Sequence, residues 1–494
     1  MRSNLKNAIY NAIGFIFPVL VGLFTTPYIV HKLNPEVYGI YVLAISLMGL
    51  LSFLDLGFGQ GIIKFVSHYE AKQDYERIND IINTSLIINL IMGVFGFLII
   101  FFSSEFLAVK IFKVHENYLS ISIMAFKIVS AGFLLNILIS VFSNIPRALQ
   151  RYDISVKIQN LIWFLSIISS IVLLYFGYGL VEMLLFYVFF QLFGLILYYY
   201  YSKKLLPSLK VSFYFKKDIF KEIFGFSIYT SLNAITGNIV FRVDKMIIAH
   251  FLGISAVTYY QIPFMLSQMA NGFITSIIQF LIPSVSFINA IGDKEKLKGI
   301  YVKYTRYVFA ISIIIFSGLV LLGKPFLLVW IGRDIAEISY PVLVIISTVF
   351  FFISISNVGY YFYNGLGKSE INMLSSFVGA CSYLIAVFLL IPKYQLVGAA
   401  IAFCFILVPY PVYIHILNNL LDVKLKWYST LTMKALLIIT TIIILTFIIY
   451  KLSYLKLLIF YGTLLFTLSI LLVYTFGFIT GADLKNLKSR VVRI

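Results

Sequence analysis

Long apolar stretches follow one another from end to end of this 494-residue chain, each close to the length of a membrane-crossing helix, and no other feature restricts its folding as strongly. Inside hydrocarbon every backbone N–H and C=O needs a partner, so apolar runs of roughly 20 residues read as spanning helices. Turn residues and charges divide the sequence into fourteen such segments, near 8–30, 38–58, 81–102, 118–144, 159–177, 180–200, 223–250, 256–282, 304–322, 339–364, 371–391, 395–416, 431–450 and 455–477. Composition agrees, with 61% hydrophobic and 12% charged residues where soluble globular chains run at roughly 45–50% apolar. The expected fold class is an all-α integral membrane protein.

The spanning sequence also repeats itself. Residues 29–82 align without a gap on 248–301, with His31 on His250, Tyr41 on Tyr260, Gln60 on Gln279 and Asp74 on Asp293. There are 13 identities in 54 pairs, against about 4 for unrelated segments equally rich in Ile and Leu, which marks a duplication. It resumes with a slightly shorter offset where Arg147–Ile154 overlies Asn364–Ile371. Six segments per repeat is an even number, so both repeats start on the same side and form parallel halves. The expected organisation is a six-helix bundle over 1–201, a basic cytoplasmic linker over 202–221, a second six-helix bundle over 222–420, and two added helices with a basic tail over 421–494. Two similar halves in one bilayer are the plan of a transporter with its site between them.

The formal net charge of +18 is explained by where the charges sit. With the N-terminus in the cytoplasm, inside loops hold 27 of the 38 Lys and Arg residues and outside loops hold eight, an orientation that puts both termini in the cytoplasm. The basic excess therefore reads as topology and contact with anionic lipid, and nucleic acid is not an expected partner. Cys381 and Cys404 lie on separate segments, the five histidines show no ligand spacing, and neither a metal site nor a cofactor is expected. The run Gly57-Phe-Gly59-Gln-Gly61 has no βαβ setting and no following GK[ST], so it reads as a helix bend or a close contact. The longest external loops run roughly from Ser103 to Asn117 and from Gly323 to Ile338, too short for an outside catalytic domain.

The run Pro27-Tyr-Ile-Val-His-Lys-Leu-Asn-Pro35-Glu-Val-Tyr-Gly39-Ile-Tyr41, followed by Leu54-Asp-Leu-Gly57-Phe-Gly59-Gln-Gly61, resembles the N-terminal signature of bacterial polysaccharide biosynthesis proteins of the oligosaccharide flippase type. Arg242-Val-Asp244 through Leu252-Gly253 and Asn364-Gly-Leu-Gly367-Lys368 resemble further parts of that family. The resemblance covers roughly residues 1–420 and implies membership of the multidrug/oligosaccharidyl-lipid/polysaccharide exporter superfamily. It also implies a function: moving a polyprenyl-diphosphate-linked oligosaccharide between leaflets of the bacterial cytoplasmic membrane by alternating access, for surface polysaccharide such as O-antigen or capsule. The expected partners are that lipid-linked sugar, membrane lipids, and a polysaccharide polymerase with other assembly proteins. The chain departs from the commonest family pattern at Asn34 and Thr258, where Gly is usual; both positions belong to turns between helices.

Charge inside a span needs protein or water around it, which singles out Arg242, Asp244 and Lys245 in the seventh segment. Asn238, Arg242 and Lys245 are spaced i, i+4, i+7 on one helical face, suited to a diphosphate; the alternative is a local charge cluster near the interface. The eighth segment carries Gln261, Gln268, Asn271, Thr275 and Gln279 within an arc of roughly 80°, a polar stripe suited either to sugar hydroxyls or to interhelical hydrogen bonds. Lys127 is a further candidate for a cationic cavity, and Asp55 and Asp244 are candidates for ion coupling, with Asp55 alternatively anchoring a helix end. No catalytic residue is indicated. The rival functions are a cation-coupled multidrug exporter of the same superfamily, an uncoupled lipid scramblase, and a membrane polysaccharide polymerase or glycosyltransferase, which would need a large extramembrane loop or paired carboxylates.

Overall fold

A computed structural model describes residues 2–449, 455–475 and 477–478, with the side chains of some helical residues, Asn238 among them, outside the described set. Among the described residues there are helices and turns but no strand. Packing divides the chain into two compact units, Met1–Thr258 and Tyr259–Ile494.

The first unit holds α1 (Arg2–Leu51), α2 (Phe58–Ala71), α3 (Tyr75–Phe106), α4 (Glu116–Ala148), α5 (Tyr152–Tyr175), α6 (Leu180–Leu205), α7 (Lys217–Asn238) and α8 (Asp244–Leu252). The last two are joined by a π-helical turn over Ile239–Val243. Helix α9 (Ile254–Ile278) starts in this unit and continues into the second, which adds α10 (Leu281–Ile291), α11 (Lys294–Leu321), α12 (Gly323–Trp330), α13 (Arg333–Gly365), α14 (Ser369–Phe403), α15 (Tyr410–Leu420), α16 (Leu425–Ile449) and α17 (Leu455–Thr475). Among the described residues, ten helical stretches are long and apolar enough to cross a membrane. Two of those stretches contain a break, at Asn34 (φ 63°) in α1 and at Gln395 (φ 51°) in α14. The arrangement is compatible with fourteen crossings.

The turns preserve the duplication more faithfully than the side chains do. Left-handed residues of the first repeat, Asn34, Gln73, Lys113 and Gln150, have left-handed glycine counterparts in the second: Gly253, Gly292, Gly332 and Gly367. The first three pairs lie 219 residues apart and the last 217, the two offsets of the sequence repeat. Asn34 adds a cap that glycine cannot offer, since its Oδ1 accepts from the Val37 N–H at 3.0 Å. The two departures from the family pattern meet a common need. The Thr258 hydroxyl donates to the Pro35 carbonyl at 2.6 Å, and a Cβ on Gly39 would collide with the Ile254 carbonyl, so the two equivalent turns are docked on each other. The glycine run after Leu56 behaves as the sequence suggests. Gly57 is left-handed (φ 72°), and a Cβ on Gly59 or Gly61 would lie 2.6 Å from Asn144 or Ile223.

The connector between α6 and α7 is the main surprise. The sequence marks 202–221 as a linker between halves, yet α6 runs to Leu205, α7 starts at Lys217, and the residues between them are strapped to α3. Asn79 donates to the Ser208 carbonyl at 3.1 Å and accepts from the Lys210 N–H at 2.7 Å. One turn on, Asn83 donates to the Lys210 carbonyl at 2.8 Å and accepts from the Ser212 N–H at 2.6 Å. Asp80 accepts from Tyr214 and Lys216 at 2.8 Å each, and Arg77 pairs with Asp218 at 3.0 Å. Bonding to Asp80 raises the Lys216 ammonium above its usual value, and Arg77 holds the Asp218 carboxyl below its usual range, so both pins stay charged through neutral pH. With α7 packed on α2 and α3 and α8 on α1, the first compact unit extends past the repeat boundary.

The second unit is held by rings. Tyr260, Phe264, Phe350, Phe403 and Tyr383 are fully buried with neighbouring centroids 5.4–5.8 Å apart, at tilted or edge angles except for the near-parallel Tyr260–Phe264 pair. In the same unit, Tyr413 donates to Asn372 at 2.7 Å, Asn372 donates to Asn364 at 2.9 Å, and Tyr301 donates to Asn418 at 3.0 Å.

Candidate functional site

Three helices of the first unit turn a polar stripe inward. On α4 the stripe is Asn136, Ser140, Ser143 and Arg147; on α5 it is Gln159, Trp163, Ser166 and Ser170; both follow the i, i+4, i+7, i+11 spacing of one helical face. Helix α6 adds Leu184, Tyr187, Gln191 and Tyr198, while α1 and α2 supply Pro18, Tyr41 and Gln60. Together they enclose a cavity of about 940 Å³. On α5 the lining runs from Tyr152 to Ser170, about 27 Å of helix and so nearly the thickness of a bilayer core.

The walls are mostly uncharged, with amides, hydroxyls and rings among apolar side chains. Asn136 donates to the Gly132 carbonyl at 2.9 Å and to the Tyr187 hydroxyl at 3.3 Å, and the Tyr198 hydroxyl donates to the Ser155 carbonyl at 2.9 Å. Among the described lining residues there is no carboxylate, and the charged one is Arg147. Its Nε donates to Ser155 Oγ at 2.9 Å, with longer contacts of 3.4 Å to Asn144 Oδ1 and 3.5 Å to Gln159 Oε1. Asp55 stands just behind the wall, where one carboxylate oxygen accepts from Ser140 at 2.8 Å and the other from the Gly59 N–H at 3.4 Å. This geometry ties the start of α2 to α4, as a helix anchor would. The space can hold a long, hydroxyl-rich molecule: amides and hydroxyls both give and accept hydrogen bonds, and Trp163 and Tyr187 offer flat faces for C–H edges.

The residues expected from sequence are spread more widely. Arg242 lies in the π-helical turn, half-buried, with its Nε 2.5 Å from where a Cβ on Gly49 would sit. Lys245 is 3% exposed and Asp244 1%, and the ammonium bonds both oxygens of that carboxylate, at 2.9 and 3.0 Å, together with the Phe241 carbonyl at 3.0 Å. The common face expected for Asn238, Arg242 and Lys245 is interrupted because the π turn adds a residue to the helical loop; the side chain of Asn238 lies outside the described residues. Lys127 is exposed on α4, with its ammonium 5.3 Å from the Phe101 ring centroid, and does not line the cavity. The stripe on α9 divides. Asn271 is bound into the bundle by Ser354 at 2.8 Å and Asn357 at 3.0 Å, Gln261 leaves Oε1 buried without a hydrogen-bond partner, and Gln268 and Gln279 are exposed. Sequence reasoning missed the stripes on α4 and α5, although the periodicity that exposed α9 would have found them.

The described residues form a helical membrane protein with a polar cavity inside its first unit, and comparison with solved structures places the fold. The fold is similar to that of the lipid II flippase MurJ in an inward closed conformation (TM-score 0.70, 15% identity, 93% of this chain and 97% of that one). It is also similar to a multidrug resistance MATE family transporter of the MOP superfamily in an inward-facing conformation (TM-score 0.68, 14% identity, 83% and 95%). At such identities the likeness establishes the fold. Residues 4–289 match the family described as "Polysaccharide biosynthesis protein", and the chain belongs to that family. A Shigella flexneri protein provisionally named an O-antigen transporter is 25% identical over 420 residues, 81% of this chain and 94% of that protein.

Proposed function

We propose that the protein is a flippase that carries a polyprenyl-diphosphate-linked oligosaccharide across the bacterial cytoplasmic membrane by alternating access, supplying surface polysaccharide assembly. The observation that carries this reading is the amide- and ring-lined cavity, with Arg147 as its charged group and no carboxylate among its described lining residues. Sugar hydroxyls match such walls as both donors and acceptors. An exporter of organic cations needs acidic groups to replace the water its cargo leaves behind, so the cavity disfavours that rival. Membership of the polysaccharide biosynthesis family supports the same cargo. With the Lys and Arg excess facing the cytoplasm, both termini lie inside. Among the seventh-segment candidates, Arg242 is the one we assign to cargo, because Lys245 and Asp244 already pair with each other.

The test is translocation of a polyprenyl-diphosphate oligosaccharide in proteoliposomes, comparing the intact protein with Arg242→Ala and Lys245→Ala at matched insertion. Transport by the intact protein, reduced in Arg242→Ala, is expected. No transport under imposed proton, sodium or electrical gradients, together with export of a cationic dye, would overturn the reading in favour of a multidrug exporter.

A further inference from the structure

Arg147 is a cation held in place by neutral groups. Its Nε is fixed by Ser155 Oγ, a fully buried hydroxyl that in turn donates to the Ser143 carbonyl at 3.3 Å, while the Tyr198 hydroxyl pins the Ser155 carbonyl at 2.9 Å. The other edge of the guanidinium meets only the long contacts to Asn144 and Gln159, and among the described residues no carboxylate lies within ion-pair distance. A guanidinium oriented this firmly, at one end of the cavity, presents its remaining N–H groups to any anion that enters. A planar fork with free N–H groups matches the spacing of phosphate oxygens. The duplication sharpens the point: the repeat partner of Arg147 is Asn364, which is neutral and bonded to Asn372 at 2.9 Å. The scaffold therefore does not need an arginine at this position.

We propose that Arg147 forms a phosphate subsite within the first-unit cavity, positioned by Ser155, and that it holds the diphosphate of a lipid-linked sugar while the sugar extends along α5 toward Trp163. The identity of the ligand rests on the flippase reading; the anion subsite itself rests on the geometry. Phosphate chemistry could also come from a phospholipid headgroup or from free phosphate, and the test separates these sources.

The full-length protein in phosphatidylcholine nanodiscs is titrated with a prenyl-diphosphate-linked disaccharide and with the methyl glycoside of the same disaccharide, and competed with inorganic phosphate or phosphatidylglycerol. The expected result is a loss of at least tenfold in affinity for the diphosphate probe in Arg147→Gln, glycoside affinity unchanged within twofold, and a smaller loss in Ser155→Ala. An Arg147→Gln protein that melts normally and binds the diphosphate probe like the intact one overturns the subsite. Equal competition by inorganic phosphate or by phosphatidylglycerol overturns its assignment to a lipid-linked sugar. Should Arg147→Gln fail to fold, Ser155→Ala decides, since an unchanged ratio of diphosphate to glycoside affinity also overturns the proposal. Failure of the flippase reading looks different: the intact protein then binds neither sugar probe and moves a cationic dye.

Discussion

Equivalent positions in the two repeats have been put to opposite uses. Tyr41 lines the first-unit cavity, and its repeat partner Tyr260 is fully buried against Phe264. Ser140 faces the cavity with Asp55 behind it, whereas its counterpart Asn357 is tied to Asn271 on α9. Asn136 corresponds to the apolar Ile353, and Arg147 to Asn364. One copy of the scaffold gives these positions to a cavity wall and the other to packing and internal hydrogen bonds. A duplicated bundle can thus give up interior packing in one copy because the other retains it, and the polar groups that would be expensive to bury in hydrocarbon are concentrated where they can face a ligand.

The sharpest way to break this comparison is to truncate one ring on each side. Phe350→Ala removes a fully buried side chain that touches Phe264 and Phe403, and it should cost about 3–5 kcal/mol in thermal unfolding. Trp163→Ala, on the cavity wall, should cost less than about 1 kcal/mol while reducing translocation severalfold. Equal destabilisation would mean that the cavity wall is ordinary core. Next in size is the strap. Asn83→Ala leaves the Lys210 carbonyl and the Ser212 N–H without their partner, a loss of about 2 kcal/mol, and hydrogen exchange should rise over 206–216 without change in α13. The smallest effects separate the turns: Gln73→Gly should stabilise and Gly292→Ala destabilise, each by about 1 kcal/mol, because both sites are left-handed and only the second has the residue that suits it.

Much of the fold was legible because its determinants are local. A helix needs about 20 apolar residues to cross, and Asn34, Gly253, Gly292 and Gly367 fall where hydropathy breaks. The strap was not legible, since Asn79 and Asn83 read main-chain groups more than 120 residues away and lysines in a loop give no sign of such a hold. The cavity was partly legible. Arg147, Gln159, Trp163 and Gln191 keep helical spacing within their own helices, but their convergence depends on how α4, α5 and α6 pack. Intramembrane charge drew attention to Lys245 and Asp244, which cancel each other. It passed over Arg147, which hydropathy assigns to a loop.

The grip of α3 on the connector has a consequence for how this chain can change. Asn79 and Asn83 recognise peptide groups, which every substitution except proline preserves, so the side chains of Ser208, Lys210 and Ser212 are left out of those four bonds. Their identities can drift with the lipid charge of the host membrane while the attachment holds, making the connector tolerant of mutation.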